Sequence, residues 1–404
     1  MGLRSAWMGV SAWFLIAAVA VLSACVMPPA LSDGRQRTAT EPPVRTPDSM
    51  RPAQAGAVAV SPDPAVGQPS SSDLAAGEPP ALPVVTAAPG PPIALVLPLN
   101  SPTYGRAADA VRAGFDAAAQ AAGVRYGIHA HTDGEVLAAI AKARASGAQL
   151  IVGPLLRDDL RTVVTSRADL PWVIALNQLD DGTALPARVY TLALAIESDA
   201  RQLARRARGD GARTAAVIGS DNALQKRFAS AFIDEWILLG GGPPMTLHFD
   251  RAPDMLALLR REMGRAPVDA VLLAVDGTDA ALAKPYVGAI ATYTSSQVND
   301  RQPRELLRDL DDVWFVDIPW LAEPDALDFA RIPRPELPNA ALDRLYALGI
   351  DAFGVAWAFA DGPPDRLEFD GATGHLSLDA SRQFVREGRL LQFRAGQIVP
   401  AGTQ

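Results

Sequence analysis

The sequence predicts an α/β protein of two lobes, each a mainly parallel sheet flanked by helices. Three observations carry this expectation. Short, continuously apolar runs such as Ile93–Leu99 alternate with longer amphipathic segments. That is the pattern of parallel strands buried on both faces beneath helices. The alternation runs to about residue 194 and then restarts. No flexible linker separates the two halves, so the chain is expected to cross between them at Val189–Leu194 and again at Val313–Pro319. Two lobes joined by several crossings make a cleft and a hinge.

Each element follows from local pattern. Strand Ile93–Leu99 leads through Asn100–Gly105 into a helix with Val111, Phe115, Ala118 and Ala122 on one stripe, stopped by Gly123. Strand Tyr126–His131 follows, then a helix capped by Asp133 and ending near Gly147. Leu150–Val152 and Trp172–Leu176 read as strands, with a helix from about Asp158 between them. Asp158 and Asp159 sit at that helix start, where they complement the dipole. In the second half, Ser198 and Asp199 open a helix through Arg208, and Thr214–Gly219 is a strand. Asp221 or Asn222 caps a helix carrying Leu224, Phe228, Phe232, Trp236 and Leu239, broken by Gly240–Pro244. Strand Met245–Phe249, a helix near Asp254–Met263 and strands Ala270–Val275 and Val313–Val316 follow. A long helix carries Leu342, Leu345, Tyr346, Gly349, Phe353 and Trp357, and the tail reads as β-hairpins. Lobe one is expected at about 93–194 plus about 320–358, and lobe two at about 195–313 plus the C-terminal hairpins.

The first 92 residues are of another kind. A short basic start, Met1–Arg4, precedes an apolar run from Ala6 to Val21 and then Leu22-Ser23-Ala24-Cys25. This is the layout of a secretory signal. The run is at the lower limit for spanning a bilayer, and no basic stop-transfer cluster follows. Residues 26–92 hold 15 of the 34 prolines and show no apolar period. They cannot bury enough surface to offset chain entropy and are expected to form a tether. Such a tether spans on the order of 45 Å as a coil and roughly 200 Å as polyproline II.

Composition excludes several chemistries. The net charge of −8 leaves no basic field for nucleic acid. One cysteine makes no internal disulfide and no Cys-based metal site. With four histidines, of which His129 and His131 read as ordinary strand residues, no metal and no cofactor is expected. No Gly-x-Ser-x-Gly, P-loop, His-Glu-x-x-His or Gly-x-Gly-x-x-Gly motif is present.

Three resemblances add to this reading. Leu22–Cys25 resembles the lipobox of bacterial lipoproteins, which implies removal of residues 1–24 and lipidation of Cys25. Residue 26 is Val rather than the Asp that retains lipoproteins at the inner membrane, which implies the outer membrane, facing the periplasm. Ile93–Leu99 with Gly105 and Ala113-Gly114-Phe115 resembles the opening of type I periplasmic binding proteins. Ile151–Leu156 with Asp158, Ala175-Leu176-Asn177, Ala291–Gln297, Val316–Trp320, Ala347–Ala352 and Phe369–Leu378 together resemble the C-terminal domain of the LpoA family. The resemblance covers roughly residues 93–400. It implies a two-lobed type I periplasmic-binding-protein-like fold that binds and activates a peptidoglycan synthase, a class A penicillin-binding protein, without being an enzyme. LpoA proteins of the best-known type carry a helical-repeat domain ahead of this one, and residues 26–92 are too few and too proline-rich to form it. The alternative from another class is a solute-binding or sensing lipoprotein capturing an amino acid or muropeptide between its lobes.

In open α/β sheets, ligands bind beyond the carboxyl ends of the strands. That rule places the candidate cleft at Asn100, Ser101, Tyr104, Gly153, Pro154, Leu155, Asn177 and Gln178 in lobe one. In lobe two it selects Ser220, Asp221, Asp276, Thr294, Ser295 and Gln297, with Asp317 and Trp320 beside the second crossing.

Overall fold

The computed structural model describes residues 92–179, 182–265, 267–300, 308–326 and 329–401. The signal segment, Cys25 and the proline-rich tether lie outside the described residues.

The first sheet has five parallel strands in the order β2-β1-β3-β4-β5: β1 (Ile93–Leu97), β2 (Gly127–Ala130), β3 (Leu150–Val152), β4 (Trp172–Ala175) and β5 (Val189–Thr191). Helices α1 (Gly105–Ala122), α2 (Val136–Ala145) and α3 (Arg157–Thr165) connect them. The continuous apolar run of β1 has a simple cause. Side chains alternate faces along a strand, and both faces are covered. Ile93, Leu95 and Leu97 join the core shared with α1, while Ala94 and Val96 join the core under α2 and α3. Asp133 does not cap α2. Gly134 makes a left-handed turn at φ 79°, and Glu135 takes the position before the helix, its carboxylate accepting the Thr132 amide at 3.4 Å.

The second sheet has seven strands in the order β15-β14-β10-β9-β8-β6-β7. Five run parallel: β6 (Ala215–Gly219), β7 (Met245–His248), β8 (Ala270–Ala274), β9 (Ala291–Thr294) and β10 (Val313–Asp317). The last two, β14 (Arg389–Arg394) and β15 (Gln397–Pro400), add antiparallel at one edge. Helices α4 (Ile196–Gly209) and α5 (Ala223–Leu238) cover one face, and α6 (Pro253–Arg265) and α7 (Gly277–Val287) the other. Asn222 rather than Asp221 caps α5, accepting the Leu224 amide at 2.9 Å. α7 and β9 were not expected as elements; Gly277 at the start of α7 and Pro285 inside it are both helix breakers.

After β10 the chain returns to lobe one through α8 (Pro319–Ala322) and α9 (Ala340–Ala358). α9 lies directly on α1. A β-carbon at Gly114 would stand 1.9 Å from the Tyr346 carbonyl oxygen, and one at Gly349 2.0 Å from that of Val111. Only glycine permits this backbone-to-backbone approach.

The tail divides, which corrects the assignment of all C-terminal hairpins to lobe two. A three-stranded antiparallel sheet, β11 (Glu368–Gly371), β12 (Gly374–Leu378) and β13 (Phe384–Glu387), packs on lobe one, with Leu376 and Phe384 in its core. The cause is edge pairing: Thr191 at the end of β5 bridges Gln383, and its amide donates to the Arg382 carbonyl at 3.1 Å. Only β14 and β15 join lobe two. The chain therefore crosses three times, at Leu192–Ala195, at Ile318 and at Gly388.

Candidate functional site

The loop after β3 builds the lobe-one wall of the cleft. Gly153 has φ 116°, and a β-carbon there would stand 2.0 Å from the Val96 carbonyl oxygen. Glycine thus lets the loop turn tightly across β1. The Leu176 amide donates to the Pro154 carbonyl at 2.8 Å. Asn177, just past β4, pins the same loop from inside. Its Nδ2 donates to the Leu155 carbonyl at 2.8 Å, and its Oδ1 accepts from the Gln178 amide at 2.9 Å and Arg157 Nε at 3.2 Å.

Facing this wall are the crossing segment Ala193–Ile196, Leu224 and Arg227 of α5, and Leu345 and Leu348 of α9. Together they enclose a cavity of about 200 Å³ at the junction of the lobes. Arg227 Nε donates to Glu197 Oε1 at 2.6 Å. Burial lowers the pKa of the Arg157 guanidinium, and the like charge of Arg227 lowers it further. The cavity wall is mixed, with leucines beside the Arg157, Asn177, Gln178 and Arg227 side chains.

The floor beneath it is a set of buried charges. Arg344 of α9 grips Asp317 at the end of β10 through Nε at 2.9 Å and Nη2 at 2.8 Å, and Nη2 also donates to the Ser296 carbonyl at 2.9 Å. Arg386 of β13 pairs with Asp199 of α4 and donates to the Thr373 carbonyl at 3.1 Å. Burial pushes the Asp199 carboxyl up to about 6 despite the arginine beside it. Both arginines tie lobe one to lobe two.

Of the expected cleft residues, Leu155, Asn177 and Gln178 line the cavity, and Gly153 and Pro154 shape its loop. Asn100 and Tyr104 are exposed, and Ser101 Oγ accepts the Tyr104 amide at 3.0 Å in the turn before α1. In lobe two, Thr294 Oγ1 donates to the Leu273 carbonyl at 2.9 Å within the sheet. Ser295 and Gln297 both accept from Gln225 Nε2, at 3.3 and 2.6 Å. Asp276 caps α7, Asp221 pairs with Lys226 at 2.8 Å, and Ser220 donates its amide to the Ala274 carbonyl. None of these six lines the cavity.

Two expectations are corrected. Asp317 is buried under Arg344 in the floor. Trp320 is 2% exposed and belongs to the lobe-one core, with Phe329 and Tyr346 at 5.7 and 5.5 Å and the Arg334 guanidinium 3.7 Å over its ring. Pro319 starts α8 at that point and turns the indole onto α9. The residues that sequence reasoning missed are Arg157, Leu176, the crossing segment Ala193–Ile196, Leu224, Arg227, Leu345 and Leu348. Leu224 and Arg227 lie in the first two turns of α5, just beyond the strand-end loop that the rule selects. Among the described residues, no group of three or more His, Cys, Asp or Glu side chains could hold a metal ion, and no helix is long and apolar enough to cross a membrane.

The LppC lipoprotein family model matches residues 86–259 and 251–396, nearly the whole two-lobed body. The chain belongs to the LppC family. A penicillin-binding protein activator LpoA from Edwardsiella piscicida is 29% identical over 307 residues, taking in 65% of this chain and 44% of the relative. The chain thus spans less than half the length of that relative. The LpoA C-domain from Haemophilus influenzae, described as a regulator of PBP1A, superposes with a TM-score of 0.67 at 24% identity, over 76% of this chain and 99% of that domain. A structure from Chromobacterium violaceum, provisionally described as a branched-chain amino acid ABC transporter, gives 0.65 at 33% identity, over 74% of this chain and 98% of that one. The fold of this LppC chain is accordingly periplasmic-binding-protein-like.

Proposed function

We propose that this LppC protein is an outer-membrane lipoprotein, anchored through Cys25 and facing the periplasm, that binds and stimulates a class A penicillin-binding protein. It acts as a non-enzymatic activator of peptidoglycan synthesis. The observation that carries this reading is the correspondence between the two-lobed body and relatives named as penicillin-binding protein activators. The match to a domain described as a PBP1A regulator, over nearly that whole domain, supports it.

The mechanism is differential affinity. The lipoprotein binds the active form of the synthase more tightly than the resting form; equal affinity would shift nothing. A coupling of about 1–3 kcal/mol corresponds to roughly 5–150-fold in a binding equilibrium. The buried arginines of the floor suit this role, because a body fixed at its crossings presents one shape to its partner. The test is capture of the synthase from detergent-solubilised membranes by the full chain. Specific retention supports the reading, and absence of the synthase from the bound fraction overturns it.

A second reading, solute binding between the lobes, is favoured by the cavity and by the likeness to the Chromobacterium violaceum structure. A ligand at 100 times its dissociation constant stabilises by about 2.7 kcal/mol, which a thermal-shift screen resolves.

A further inference from the structure

We propose that the junction of the lobes is a proton-operated lock: a proton taken from solvent onto Asp199 of α4 holds lobe two against lobe one, and its loss loosens the junction. The inference rests on the buried charges of the floor and not on the synthase reading.

The junction carries more buried acid than base. Asp199, Asp317 and Asp351 are 6%, 1% and 3% exposed. Two guanidiniums stand among them. Arg344 pairs with Asp317, and Arg386 pairs with Asp199 while donating to the Thr373 carbonyl. Thr373 in turn donates its amide and its Oγ1 to Asp351, at 2.7 and 2.5 Å. Three carboxyls thus share two permanent cations. With all three ionised, one negative charge is left over away from water, which is costly. A single proton removes it.

Hydrogen-bond donors decide which carboxyl takes that proton, because donors favour the ionised form. Asp317 accepts twice from Arg344, from Asn299 Nδ2 at 2.9 Å and from the Ile318 amide at 2.8 Å. Asp351 accepts the Ala372 amide at 2.7 Å besides the two donors of Thr373. Among the described residues, Arg386 alone donates to Asp199, on Oδ1. Oδ2 can therefore take the proton without displacing the arginine. Burial pushes the carboxyls of Asp199 and Asp351 each up to about 6. The two titrate as a pair around Arg386, and the poorer supply of donors gives the proton to Asp199.

Position makes the proton a lock. Asp199 belongs to lobe two and Arg386 to lobe one. Parting the lobes hydrates the Asp199 carboxyl and returns it toward its ordinary value. The joined form therefore binds the proton more tightly than the parted form, and by linkage acid favours the joined form. The other charges facing Asp199 are Asp317 of β10, which favours protonation, and Arg344 of α9, which opposes it. On the same helix, Glu197 pairs with Arg227 of α5, and Arg205 with Glu235 of α5.

The test uses the full chain in detergent, unsubstituted and as Asp199→Asn, at about pH 5 and about pH 7.5. Hydrogen exchange is read at Leu192–Ala195 and Gly388 and corrected for the intrinsic rate. A group with a value near 6 when buried and near 3.9 when hydrated shifts an opening equilibrium about tenfold over that range. The unsubstituted chain should therefore protect these amides about tenfold better in acid. Asp199→Asn, neutral at both pH values, should protect them equally at both, at the level of the unsubstituted chain in acid. If Asp199→Asn does not fold, the unsubstituted chain decides alone: a rise in protection toward acid supports the lock, and constant or falling protection overturns it. A folded Asp199→Asn variant that loses protection at both pH values, as a purely structural ion pair requires, also overturns it.

Discussion

At the crossings, the side chains of Arg344 and Arg386 are 14% and 3% exposed and reach partners in the other lobe, Asp317 and Asp199. In the cleft walls, Arg157 and Arg227 are half-buried and bond Asn177 and Glu197 within their own lobes. The same side chain serves opposite ends. A buried arginine paired across the junction fixes one arrangement of the lobes, because separating the pair would strand a desolvated charge. A bond within one lobe, such as Arg157 to Asn177 or Arg227 to Glu197, does not depend on how the lobes are arranged. The pairs at the floor therefore fix the junction more directly than the bonds in the walls.

The comparison can be broken first at the floor. Arg386→Ala leaves the Asp199 carboxylate buried without its partner, and removal of one member of such a pair costs about 3–5 kcal/mol. Urea unfolding of the variant is expected to show a loss of that order. A loss below about 1 kcal/mol would mean that the pair does not hold the lobes together.

A second break lies in the lobe-one packing beside the floor. Gly349→Ala places a methyl 2.0 Å from the Val111 carbonyl oxygen, so α1 and α9 must move apart. Overpacking of this kind costs typically about 1–3 kcal/mol. The same substitution at Gly242, where a β-carbon meets nothing within 4 Å, is expected to be close to neutral. Melting curves of the two variants provide the check.

The rim of the cleft should respond weakly. Lys226 and Asp221 pair at 2.8 Å, but their side chains are 60% and 81% exposed. Exposed pairs contribute little net stability, because solvent screens them. Lys226→Gln should therefore shift the unfolding transition only slightly and lose that effect in high salt. A loss as large as that of Arg386→Ala would erase the distinction between floor and rim.

The smallest expected effect concerns pH. His375 of β12 lies 3.1 Å from both Asp370 and Glu368 at the surface. The bond to Asp370 is the main cause raising its imidazole pKa, opposed in part by burial. The sign follows from linkage. The contribution is present in full below the unfolded value near 6.5 and disappears as pH rises through the folded value. An NMR titration should place His375 above 6.5, and Asp370→Asn should lower it. A value at or below 6.5 would contradict the arrangement.

How far the sequence discloses this molecule depends on the range of the interactions that decide each part. β1, β6 and β8 are legible because burial on both faces forces apolar residues at every position. β13 is not: Phe384 and Arg386 point inward and Val385 and Glu387 outward. An inward arginine defeats the apolar pattern, and its partner Asp199 lies 187 residues away. The lobe-one half of the cavity is legible from strand ends, since Leu155 and Asn177 follow β3 and β4 directly. The other half comes from a turn of α5 and the middle of α9, which reach the cavity only through the return of the chain to lobe one. Trp320 misleads for a related reason: its place after a strand end suggests a cleft, and α9, met later in the chain, covers it.

The central claim is that this LppC body stimulates a peptidoglycan synthase by binding it. The most direct measurement is the rate of glycan polymerisation by the purified class A penicillin-binding protein, with and without the full-length lipoprotein in the same detergent. The account predicts a saturable increase in rate as lipoprotein is added. An unchanged rate at saturating lipoprotein would contradict it.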